Sequence, residues 1–150
     1  MMRAYLLVPG ALVAGTALLL LVAGRLGYLP RSWRGRLPGA VAAVVVVALI
    51  VELWAGGTLA SLFGGGFVQD RFALFAKAAV LLTLVAAIAV ADWSAEDSVY
   101  VGLAMILFAG FGVMAVASAG DFLPLAVGLR VAGALARAVA VFAGPEHVPA

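Results

Sequence analysis

Glu52, Lys77, Arg130 and Arg137 are ionisable side chains set inside long apolar runs of a 150-residue chain. A charge held within a lipid bilayer is costly. Residues of this kind pair with one another, face protein or water, or belong to an ion or proton path. The carboxylate and the amine can each gain and lose a proton, whereas a guanidinium stays charged in a protein. Arg130 and Arg137 are seven residues apart, nearly two full turns, so they share one stripe of a helix. A stripe of this kind faces protein or water, and the helix that carries it is expected to have a neighbour. Arg137 is also near enough to one end of its run to extend toward the interface.

Other kinds of chemistry find little support. The chain has no cysteine, which removes disulfides, thiolate nucleophiles, cysteine-ligated zinc and iron–sulfur clusters. His147 is the only histidine and cannot build a metal site alone; it reads as a solvated tail residue. No Ser/His/Asp constellation is present. The "GGG" at 64–66 has no strand–GK–helix context and is no phosphate loop. No catalytic residue, cofactor or metal is therefore assigned. "FAGFG" and "GALARA" carry small residues at helix-packing spacing, but glycine and alanine are so frequent here that spacing alone does not single them out.

The elements that must position these charges follow from composition. The chain is 67% hydrophobic and 11% charged, with mean hydropathy +1.24. A soluble domain is about half apolar and a quarter charged, so the expectation is an all-α, polytopic membrane protein. A span needs about 20 apolar residues, and five runs qualify: about 4–23, 37–55, 72–91, 99–119 and 122–142. Barrel strands alternate apolar and polar residues, and these runs do not. The first run is longer than a signal h-region and more runs follow it, so it reads as a retained first helix. The whole chain, 1–150, reads as a single membrane domain.

The linkers set an orientation. "GRLGYLPRSWRGR", residues 24–36, carries Arg25, Arg31, Arg34 and Arg36 with Tyr28 and Trp33. By the positive-inside rule it is cytoplasmic, which puts the N-terminus outside. "GGTLASLFGGGFVQD" is then outside and reads as a turn or short hairpin. "DWSAEDS" returns to the cytoplasm. The short "SAGD" makes the fourth and fifth helices an antiparallel pair, and the C-terminus ends inside. On this topology Glu52 lies about four residues from the outer end of its helix, Lys77 about six in and Arg130 about eight in; at ~1.5 Å per residue all three sit roughly 6–12 Å below the outer surface. They are expected to form one polar cluster, with Glu52 partly neutralising Lys77 or Arg130. The competing reading is that Glu52 and Lys77 extend separately to the interface.

From about Phe63 the sequence resembles the N-terminal part of subunit N of proton-pumping NADH:quinone oxidoreductase, respiratory complex I. "FGGGFVQDRFALFAK", 63–77, resembles that family's hairpin leading into its third helix. "AGFGVMAVASAGDFLPLAVGLR", 109–130, resembles its fourth helix, tight turn and fifth helix. The resemblance covers roughly 60–135; the first two helices agree in pattern. It implies a multi-pass subunit of the cell membrane, without flavin or iron–sulfur cluster, that works beside other membrane subunits of the complex. It also implies proton translocation coupled to quinone reduction elsewhere in the assembly. Lys77 matches a lysine common near the start of the family's third helix. The residue after "GL" in the fifth helix is a glutamate of the proton machinery in the family and Arg130 here, a position that cannot relay protons by cycling its charge. Family members run to about fourteen helices, so the chain reads as a truncated or divergent subunit N. The alternative is a small non-catalytic membrane assembly module whose Arg130 pairs with an acidic partner helix. An independent ion carrier built on Glu52, Lys77 and Arg130 is the least favoured reading, because one carboxylate makes a poor relay.

Overall fold

The computed structural model describes residues 7–55, 60–91, 99–120 and 122–143. Among these residues are five α-helices: α1 (Val8–Arg25), α2 (Leu37–Ala55), α3 (Arg71–Val90), α4 (Val99–Ala117) and α5 (Phe122–Ala143). Helices α1 to α4 are long and apolar enough to cross a membrane. In α5, which runs for 22 residues, the apolar stretch among the residues whose side chains are described is Leu125–Ala134. The 92–98 linker and the tail with His147 lie outside the described residues.

Local chemistry sets the helix ends. Pro9 lies in the first turn of α1, where its missing N–H costs nothing. Arg25 lies in the last turn, beside the negative end of the helix dipole. Asp70 caps α3: its carboxylate accepts from the Ala73 backbone N–H at 2.6 Å, satisfying one of the orphan donors of the first turn.

Helices α1, α2, α3 and α4 form a ring in which each contacts the next and α4 closes back on α1. The core inside it is drawn from one stripe of each helix. Val13, Ala17 and Leu20 come from α1, and Val41, Val45 and Ala48 from α2. Leu81, Leu84 and Ile88 come from α3, and Leu103, Leu107 and Met114 from α4. These spacings are three, four or seven residues, one helix face. The opposite faces are apolar too, with Leu19, Ile50, Trp54, Phe75 and Val90 exposed. Helices apolar all round belong in lipid.

Helix α5 stands outside the ring and packs on α4. The contact is backbone to backbone. A Cβ built on Gly112 would lie 2.9 Å from the Ala132 nitrogen, and one on Gly128 would lie 3.0 Å from the Gly112 oxygen. Lipid offers no hydrophobic drive for helix association, so close approach of small residues supplies the attraction. The Gly112 of "FAGFG" thus has a definite packing role that its spacing alone did not reveal.

Residues 60–69, between α2 and α3, form the expected hairpin. Strand β1 (Ala60–Leu62) pairs antiparallel with β2 (Phe67–Gln69), Ala60 opposite Gln69 and Leu62 opposite Phe67. The turn uses Gly64 and Gly65 at φ 67° and 100°, a region open to glycine at little cost. Strand β2 is tied to the α4–α5 turn: the Val68 N–H donates to the Ser118 carbonyl at 2.8 Å, and the Gly120 N–H to the Gly66 carbonyl at 2.9 Å.

Candidate functional site

Glu52 continues the core stripe of α2 one turn beyond Ala48, and Lys77 falls between Ala73 and Leu81 on the buried stripe of α3. Both side chains are therefore aimed into the bundle by the same periodicity that aims the core. Glu52 is 1% exposed and Lys77 7%; neither extends outward. Lys77 Nζ lies 3.7 Å from Glu52 Oε1.

Gln69 completes the arrangement. It is the last residue of β2 and is 5% exposed. Its Nε2 donates to Glu52 Oε1 at 2.7 Å, and Lys77 Nζ donates to its Oε1 at 2.6 Å. The choice of amide has a chemical reason: an ionised carboxylate only accepts and an ammonium only donates, so a group between them must present one donor and one acceptor. Burying a carboxylate or an ammonium alone is prohibitive, and the pair is tolerated only with good geometry and further hydrogen bonds. The triad meets both conditions. It also joins α2, the hairpin and α3 in a medium where apolar contacts contribute little to association.

Sequence reasoning overlooked Gln69. It is uncharged and belongs to a linker that the topology assigns to the surface. The available signal was its place directly before the Asp70 cap, where the end of a strand meets the first turn of a helix.

Arg130 is not part of the cluster. It is exposed on α5, which packs on α4, whereas Glu52 and Lys77 belong to α2 and α3 of the ring. Arg137 is exposed on the same helix, and its Nε donates to the Gly133 carbonyl one turn back at 3.2 Å. The geometry thus gives Glu52 to Lys77 through Gln69, and leaves the arginine stripe on the outside of the one helix that lies outside the ring. Among the described residues no group of three or more His, Cys, Asp or Glu side chains is placed to hold a metal ion.

The chain is 35% identical over 96 residues to NADH-quinone oxidoreductase subunit N of Magnetococcus marinus, covering 61% of this chain and 20% of that protein. It is 32% identical over 130 residues to NADH-quinone oxidoreductase subunit N 2 of Rhizobium meliloti, covering 83% of this chain and 26% of that protein. The chain resembles NADH-quinone oxidoreductase subunit N. It spans about a fifth to a quarter of the length of these subunit N relatives. No family model matches it.

Proposed function

We propose that the chain is a multi-pass membrane subunit of an NADH-quinone oxidoreductase, a subunit N type of component with no redox centre of its own. The observation that carries this reading is the buried Glu52–Gln69–Lys77 triad, which lies in and beside the stretch resembling subunit N. A titratable carboxylate and a titratable amine held together inside apolar helices make a functional site by default. The triad is a fixed element of charge in the membrane arm. Proton exchange between its ends requires Lys77 and Glu52 to come within direct hydrogen-bond distance. Arg130 stands where the resemblance leads one to expect a glutamate, and it does not take part in proton relay because it does not deprotonate.

The basic linker 24–36 supports a cytoplasmic placement for the ends of α1 and α2 that it joins. That puts the N-terminus and the triad at the outer side of the cell membrane and the C-terminal end of α5 inside. The other membrane subunits of the oxidoreductase are the partners of this reading.

A second reading has its own support in the exposed Arg130 and Arg137 of α5. In it the chain is a non-catalytic assembly module, and the arginine stripe pairs with an acidic residue of a neighbouring helix. One experiment separates the two. The chain is tagged at native expression level, membranes are solubilised in mild detergent, and a native gel is stained for NADH dehydrogenase activity. Co-migration with the active band is the expected result. A small separate species would overturn the proposal and favour the assembly module.

A further inference from the structure

A cavity of about 290 Å³ lies between the first turns of α1, the last turns of α4, strand β2 and Lys77. Its walls are apolar, among them Gly10, Ala14, Phe111, Met114 and Ala115. Gln69, Lys77 and Ser118 give it a polar side. Ser118 is 6% exposed, and its hydroxyl is buried without a hydrogen-bond partner. A buried hydroxyl left unpaired is costly, and such a group calls for an explanation. Leu7 and Ala11 also line the cavity and are exposed on the outside of the bundle, so the space reaches the apolar surface.

Three features define what would fill it. At ~30 Å³ per water the volume equals about ten waters, yet each buried water needs two to four polar partners. The walls supply such partners on one side alone, which favours an occupant that is mostly apolar. The volume is at the lower end of the ~300–1,000 Å³ usual for ligand sites. It suits a head and the first part of a chain whose remainder leaves past Leu7 and Ala11. The available polar groups donate: Ser118 has a free hydroxyl, and Lys77 has donors beyond the one given to Gln69, because Glu52 at 3.7 Å is outside hydrogen-bond distance. Glu52 already balances the charge of Lys77, so the site has no surplus positive charge for a carboxylate or phosphate.

We propose that this cavity binds a neutral, single-chain lipophile bearing a carbonyl, seated with the carbonyl oxygen toward Lys77 and Ser118. Acyl esters and isoprenoid or alkyl quinones share that chemistry. The site is distinct from the proposed role in the oxidoreductase, since it rests on the cavity and on Ser118, and it stands whether or not the chain joins the complex.

The test uses the full chain in nanodiscs, titrated and read by native mass spectrometry. Monooleoylglycerol and decylubiquinone serve as the neutral carbonyl probes and oleate as the charged counterpart. The expected result is one-to-one binding of one or both neutral probes, with oleate weaker by about tenfold; which neutral probe binds identifies the source. Ser118→Ala removes a hydroxyl with no protein partner, so the thermal midpoint holds while affinity falls about fivefold, the worth of one neutral hydrogen bond. Ala115→Leu fills the cavity away from the triad and abolishes binding. Oleate binding as tightly as the neutral probes would overturn the proposal. So would no binding of any probe, or affinity unchanged in both variants.

Discussion

Lys77 Nζ stands 3.7 Å from Glu52 Oε1, too far for a direct hydrogen bond, and the amide of Gln69 bridges the gap with contacts of 2.6 and 2.7 Å. The charged partners belong to α2 and α3, and the amide belongs to the hairpin between them. Each side chain is held in place by a different element, so removing one does not remove the positions of the others.

That arrangement predicts an order of damage. Lys77→Met or Glu52→Leu leaves a buried charge alone and costs about 3–5 kcal/mol. Gln69→Leu costs less, about 1–3 kcal/mol, because the two charges remain and can close on each other. The double variant Glu52→Leu/Lys77→Met is less damaging than either single change, since no isolated charge is left. Thermal midpoints in detergent, analysed as a double-mutant cycle, check the order. A double variant with the summed loss of the singles would refute it.

The α4–α5 contact is equally specific. Gly112→Leu places a branched side chain where the Ala132 nitrogen lies 2.9 Å from the Cβ position, so the two helices must separate. The expected cost is about 1–3 kcal/mol as for other overpacked sites, with α5 released from α4 first. Crosslinking between cysteines introduced on α4 and α5 should fall, while crosslinking between α1 and α2 stays unchanged.

Asp70→Ala removes the cap of α3 and should lower stability by about 1 kcal/mol, with Asp70→Ser recovering most of it. Unfolding midpoints of the two variants compare directly. Equal midpoints for Asp70→Ala and the parent chain would count against the 2.6 Å bond to Ala73.

Arg130→Ala tests the assembly reading. Arg130 is exposed on α5, so the isolated chain should keep its stability within about 0.5 kcal/mol. If the arginine stripe docks on an acidic helix, the same change shifts the chain to a smaller species on a native gel. An unchanged gel position would dismiss that pairing.

Much of the fold can be read from the sequence, because a span requires a long apolar run and little else. The runs at 37–55 and 99–119 match α2 and α4 closely, and "LFGGGF" marks the hairpin turn. Which face of each helix turns inward was far less legible. Residues such as Val46, Val47 and Ile50 of α2 are as apolar as Val41 and Val45, so hydrophobicity does not separate lipid from core. Glu52 itself carries the better signal: it lies four residues beyond Ala48 and seven beyond Val45, and a buried charge shows which stripe meets protein. The place of Arg130 is illegible for the complementary reason. Its place in the apolar run gives a depth along the membrane, but depth says nothing of position around the bundle, and α5 lies outside the ring.

The hairpin also limits how this sequence can change. Along β2 the side chains alternate sides, and neighbouring Val68 and Gln69 divide two tasks: one gives its backbone N–H to the end of α4, the other sends its amide to the charges. A one-residue insertion or deletion in the strand would turn every following side chain over. Gln69 would then point away from Glu52 and Lys77. Surface connections usually accept changes in length, whereas between Ala60 and Asp70 the count of residues is itself a constraint, stricter than the identity of many residues in the helices below.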